Sequence, residues 1–234
     1  KLERLMLGQE KKANGFSVIE LIIVLGLVGV LSAFAYPKFS DWNHSRQVKQ
    51  DVDRINALIR NTQIQTERGT LAYVKVLFTP VGDKLKVEGK GLTMETLSSL
   101  IYDDDSRWFP DDNDLSNRCR GPNGGWDTDT TGDDIIKQSV YDIELENINS
   151  NITQASGICF SRNGKFYESY GDLDTGNGTP ASFALFCSIK SSADCSDKSR
   201  EAHLHAIKWS RYGNIYKVRW LPKRGDGEAG WSDP

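Results

Sequence analysis

The sequence predicts an α+β fold, a long kinked N-terminal α-helix packed on an antiparallel β-sheet domain. Three observations predict it. Phe16 to Tyr36 is an apolar run of 21 residues with a single charged residue, Glu20. Beyond Pro37, the residues Phe39, Trp42, Val48, Val52, Ile55, Leu58 and Ile59 recur mostly at intervals of three and four, the mark of a helix with one buried stripe. From about residue 140 the apolar residues change to short alternating segments separated by Gly- and Asn-containing turns, which read as antiparallel strands.

The first run has roughly the length an α-helix needs to cross a bilayer. A carboxylate inside lipid is costly and needs a named partner. For Glu20 the fitting partner is an amine, such as the α-amino group that a cut between Gly15 and Phe16 would create on a neighbouring copy. Pro37 is expected to kink the helix rather than end it, because the apolar stripe resumes at once, with Arg46, Gln47, Lys49, Asp51, Asp53, Arg54 and Arg60 on the other faces. The helix should reach about Arg68 and stop at Gly69. Ahead of it Lys1, Arg4, Lys11 and Lys12 stand against Glu3 and Glu10. Basic residues just before an apolar span stay cytoplasmic, so everything after Pro37 should face the periplasm. The chain opens on Lys1, so its start lies upstream or at Met6.

A short basic leader ending in Gly15, then Phe16, then Glu20 as fifth residue after the cut, the apolar run and Pro37 together resemble the type III signal and N-terminal helix of type IV pilins and pseudopilins. The resemblance covers about residues 10 to 68. It implies that a prepilin peptidase of the inner membrane cuts after Gly15 and methylates Phe16, and that Glu20 and Pro37 serve assembly. An ordinary signal peptide also has a basic region and an apolar core, but it would leave Glu20 unexplained. The resulting organisation is a leader peptide (1–15), a transmembrane and assembly helix (16–37), its amphipathic continuation (38–69), and a periplasmic β-domain (70–234) with a long loop at 103–134.

Within the β-domain, Leu71–Phe78 reads as a strand ended by Pro80 and Gly82, followed by a weaker strand at Lys84–Val87 and a short helix at Thr93–Tyr102. Tyr141–Leu145 alternates, and Ile158–Phe160 and Lys165–Tyr167 flank Asn163-Gly164, a strong hairpin signal. Phe183–Ile189 reads as a central strand. His203–Trp209 and Ile215–Leu221 flank a second turn at Arg211–Asn214. The segments Phe160-Ser161-Arg162-Asn163-Gly164-Lys165 and Trp209-Ser210-Arg211-Tyr212-Gly213-Asn214-Ile215 resemble paired turns of GspH/FimT-type minor pilins and pseudopilins, which places the chain among minor subunits.

Four cysteines, Cys119, Cys159, Cys187 and Cys195, suit an oxidising compartment and allow three pairings. The eight-residue separation makes Cys187 with Cys195 the easiest loop to close, leaving Cys119 with Cys159. Zinc is disfavoured, because there is no Cys-x-x-Cys pair and His203 and His205, on one face of a strand, lack a third ligand. Two acidic pieces, one with Asp127, Asp129 and Asp133 and one from Asp172 to Asn177, offer calcium the alternating oxygens it prefers. Gln138 stands where an EF-hand needs its bidentate Glu, so that motif is excluded. No other cofactor is expected.

The net charge is −3, and losing the leader, with its surplus of two positive charges, would leave about −5. Nucleic acid can then meet only a local patch. Such a patch lies near the end of the chain, with Lys208, Arg211, Lys217, Arg219, Lys223 and Arg224 and no acidic residue between Ala202 and Gly225. Alternation puts Lys217 and Arg219 on one face and Tyr216, Val218 and Trp220 on the other. A basic face beside aromatic rings holds phosphates and stacks bases. No nucleophile elbow, phosphate-binding loop or zincin helix is present, and His44, His203 and His205 read as surface histidines.

The resemblance therefore implies a minor pilin or pseudopilin. It would be a non-catalytic subunit of a type IV pilus or type II secretion pseudopilus, anchored by a single pass in the bacterial inner membrane with its C-terminal domain in the periplasm, and later part of the filament. Its partners would be other pilin or pseudopilin subunits, prepilin peptidase and the membrane. The alternative is a DNA-binding minor pilin for DNA uptake that uses the C-terminal basic hairpin.

Overall fold

A 50-residue helix, α1 (Val18–Glu67), leads the structure and runs through position 37 without a break. The computed structural model describes residues 17–102, 139–146, 148–173, 182–192, 194–199, 202–223 and 227–232. The expected loop at 103–134 lies outside them. The chain divides into two units, residues 1–43 and 44–234.

In the second unit α1 is followed by β1 (Leu71–Val81), β2 (Lys84–Thr93), α2 (Met94–Tyr102), β3 (Ser139–Leu145), β4 (Ile148–Ser150), β5 (Ser156–Ser161), β6 (Phe166–Tyr170), β7 (Phe183–Ser188), β8 (His205–Trp209), β9 (Ile215–Leu221) and β10 (Gly230–Ser232). The strands form two five-stranded sheets, ordered β3-β2-β1-β5-β6 and β10-β9-β8-β7-β4, and every pairing is antiparallel. The α+β arrangement is the expected one. The division of the strands between two sheets is new, because alternation marks a strand without naming its neighbour.

Two local expectations are corrected. Pro80 does not end the first strand but lies inside β1, opposite Leu85 of β2. On its other side β1 pairs with β5 only from Tyr73 to Phe78, so Pro80 withholds no donor that the ladder needs. The second strand extends well past Val87, to Thr93, because Gly89 and Gly91 lie opposite Val76 and Val74 within it. The Gly residues hid it, since Gly weakens the strand signal.

Val48, Val52, Ile55, Leu58 and Ile59 of α1 are buried, and they share one core with Val74, Val76, Phe78, Val87, Ile158 and Phe160 of the first sheet and Phe186, Ile207, Trp209 and Ile215 of the second. Each such side chain contributes roughly 1.5–3 kcal/mol on burial. The amphipathic stripe thus serves both sheets at once. The helix ends in a Schellman pattern, with Gly69 at φ +73° and hydrogen bonds from Gly69 N to Thr66 O (3.0 Å) and from Thr70 N to Gln65 O (3.1 Å), so the expected stop is observed.

The two hairpin turns share one construction. In the first, Ser161 N bonds Lys165 O (2.9 Å) and Gly164 N bonds Ser161 O (2.7 Å); in the second, Ser210 N bonds Asn214 O (2.9 Å) and Gly213 N bonds Ser210 O (3.0 Å). Each is a three-residue loop with Gly alone in the left-handed region, not the two-residue turn that Asn-Gly most often makes. The turns also meet. A Cβ on Gly213 would lie 2.1 Å from Gly164 O, so no other residue fits there without a shift.

Gln63 of α1 holds the pair together. Its Nε2 donates to Gly164 O (2.8 Å) and to Gly213 O (2.7 Å), and both bonds are buried. Arg60, one turn earlier, donates to Ile215 O (2.7 Å). Removing the amide would strand two carbonyls away from water. Gln63→Ala is therefore expected to lower stability by about 2 kcal/mol, read as a lower urea midpoint with an unchanged slope; an unchanged midpoint would contradict this role.

Candidate assembly segment and C-terminal hairpin

In the first unit, the side chains described from Val18 to Ala33 are all exposed, for example Val18 at 74% and Leu31 at 68%. A helix apolar on every side is stable only when lipid or other helices cover it. Glu20 lies in the first turn of α1, where the helix dipole favours a negative charge. Among the described residues no helix is long and apolar enough to cross a membrane. Gly15 and Phe16 lie outside the described residues.

In the last hairpin, the register pairs His205 with Arg219, Ile207 with Lys217 and Trp209 with Ile215. Ile207, Trp209 and Ile215 belong to the main core, so Lys217 and Arg219 lie on the face turned toward α1. Lys217 is only 13% exposed and forms an ion pair with Asp53 of α1. Arg219 has its Nε buried without a hydrogen-bond partner. Lys208 lies on the opposite face, with its Nζ 5.3 Å from the Trp231 ring centroid. Arg211 and Lys223 are exposed, and Arg224 lies outside the described residues. The predicted alternation is correct, yet its basic side is the packed one. Of the six basic residues, the five that are described are not gathered on one exposed face.

The profile described as the prokaryotic N-terminal methylation motif matches residues 11–36. The N-terminal segment is thus similar to that of type IV fimbrial proteins. A fimbrial protein of Pseudomonas aeruginosa is 40% identical over 48 residues, 20% of this chain and 31% of that protein. The type IV major fimbrial protein FimA of Dichelobacter nodosus is 40% identical over 45 residues, 19% of this chain and 28% of that protein. The chain thus spans about a third of the length of the curated relatives it matches. No solved structure matches it. The motif match ends within the helix, at residue 36.

Beyond the pilin segment, Cys187 and Cys195 are joined, with Cα atoms 5.6 Å apart, and both are buried. The loop they close packs Ala202 and Leu204 against Leu185 and Trp220. Cys159 is buried and disulfide-bonded, whereas Cys119 lies outside the described residues. Among the described residues no cluster of three or more His, Cys, Asp or Glu could hold a metal, and Asp127, Asp129 and Asp133 lie outside them. Asp172, which opens the second acidic piece, accepts hydrogen bonds within the fold, and positions 174–177 lie outside the described residues. Burial opposes its charge, yet hydrogen bonds from Thr153 and Gln154 hold its carboxyl below the usual range.

His203 and His205 are not surface residues, as expected from sequence, but are 6% and 2% exposed. His203 precedes β8 with φ +47°, so the two do not share a strand face. Sequence missed Gln63, Asp53 and His205 as a group because their partners lie far away, up to 164 residues in the Lys217–Asp53 pair. Burial, with Arg219 and Lys217 adding, pushes His205 down from 6.5 to about 4. The folded state thus favours neutral His205, while the unfolded chain takes up its proton first as the pH falls. This group contributes a loss of stability that begins near pH 6.5 and continues to about pH 4, at up to about 1.4 kcal/mol per pH unit. Urea unfolding across that range should show a shallower acid slope for His205→Phe; equal slopes would refute the assignment.

Proposed function

We propose that this chain is a minor pilin or pseudopilin, a non-catalytic subunit of a type IV pilus or type II secretion pseudopilus. It enters a filament from a single-pass inner-membrane pool with its C-terminal unit in the periplasm. The observation that carries this reading is the methylation-motif match at residues 11–36, joined to a helix whose described side chains from 18 to 33 are all exposed. Such a surface needs lipid before assembly and neighbouring helices after it. Within that bundle Glu20 is the charge that a neighbour's terminal amine would neutralise.

The minor role and the GspH/FimT likeness rest on the paired Ser-x-x-Gly turns and on a C-terminal unit large enough for two sheets. Calcium, if bound, would go to Asp127, Asp129 and Asp133. The DNA-uptake alternative loses Lys217, which is engaged by Asp53, and would rest on the outward Lys208 and the exposed Arg211 and Lys223.

The test is processing. Co-expressed with a prepilin peptidase, the chain should begin at Phe16 and carry one methyl group on its terminal amine, as read by mass spectrometry. A retained leader or a different cut would sink the proposal. Glu20→Leu should be cut normally yet be depleted from sheared filaments; equal incorporation would remove Glu20 from its assembly role.

A further inference from the structure

The outer face of the second sheet is covered over one half only. On that face lie Phe183, Lys208 and Tyr216 in one cross-strand row, and Trp220 and Trp231 in another. The disulfide-closed loop packs over the side nearest Leu185 and Trp220, and Trp220 Nε1 donates to Lys198 O (3.1 Å). The remainder is open: Tyr216 is 51% exposed, Phe183 38% and Trp231 37%.

Two ammonium groups sit on these rings. Lys198 Nζ is 5.2 Å from the Trp220 centroid and Lys208 Nζ is 5.3 Å from that of Trp231, while the two indoles meet edge to face at 5.3 Å. Neither lysine has a carboxylate partner among the described residues. On a chain of net charge −3, this is an aromatic surface carrying two lysines that no described carboxylate pairs. Tyr and Trp are the residues that most often anchor a protein interface, and uncompensated surface charge selects a partner of the opposite sign.

We propose that Phe183, Lys208, Tyr216, Trp220 and Trp231, with Lys198, dock a carboxylate-bearing surface of a neighbouring subunit in the filament. The inference rests on the subunit reading above and adds to it a face and the chemistry of its partner. Each aromatic ring supplies apolar contact area at small entropic cost, and the lysines, already held over the indoles, meet the incoming carboxylates without having to be ordered first. The face is independent of Glu20, whose partner is a terminal amine.

A photo-crosslinking residue in place of Tyr216, in the full chain within cells that assemble the filament, tests this directly. The expected result is an adduct to another subunit on a peptide containing Asp or Glu, about tenfold weaker when Lys198 and Lys208 are both changed to Glu. Tyr216→Ser, which leaves both charges, should lower the incorporation of the otherwise unmodified chain into sheared filaments, while chain level and the Cys187–Cys195 bond stay unchanged. If the chain is in the filament but the probe gives no adduct, or an adduct indifferent to charge reversal, the docking face is overturned and the subunit reading survives. If the chain never enters a filament, the subunit reading itself falls.

Discussion

The fold of the C-terminal unit depends on one carboxamide. Gln63 sits on a helix whose other buried residues are apolar or Thr, and it spends both amide hydrogens on the carbonyls of Gly164 and Gly213. Those carbonyls belong to turns in different sheets, 101 and 150 residues further along the chain. A hydrophobic stripe can press two sheets onto a helix, but it is non-directional. The paired hydrogen bonds add direction, because they close only when both turns lie at one height along α1. The bare Cα of Gly213 against Gly164 O lets the turns come close enough to share one donor group.

A polar cluster lies on the same side of the second sheet. Asp53 binds Lys217, and Arg219 lies beside His205 in the register. Burial, reinforced by the neighbouring Arg219 and Lys217 and opposed by Asp53, keeps His205 neutral. The basic residues of the last hairpin, uniform in sequence, differ in the fold. Lys217 is tied to the helix and Lys208 to an indole, while Arg211 is exposed at the turn. A run without acidic residues is thus divided by the two faces of a strand.

The apolar run from 18 to 36 and the stripe from 48 to 59 occupy one continuous helix and follow different rules. In the first, every described side chain up to residue 33 is exposed, so the sequence is written for surroundings the single chain does not contain. In the second, the spacing predicts the buried residues from Val48 onward, because the partner surface lies within the same unit, whereas Phe39 and Trp42, read into the same stripe, are exposed. The match to the N-terminal methylation motif covers the first part, residues 11–36, and no solved structure matches the chain.

By itself the sequence determined the helix, its stop at Gly69, the placing of most strands, the Ser-x-x-Gly turns and the Cys187–Cys195 pair. These rest on local signals such as periodicity, backbone restriction at glycine and short loop closure. It also carried the motif from Gly15 to Glu20, whose meaning lies in residue type and spacing. Only the tertiary structure decided that there are two sheets, that Pro80 is tolerated inside β1, that His203 and His205 are buried, and that Lys217 turns inward while Lys208 turns outward. Each of these depends on which distant residue becomes a neighbour, and alternation along a strand gives two faces without saying which will meet the helix.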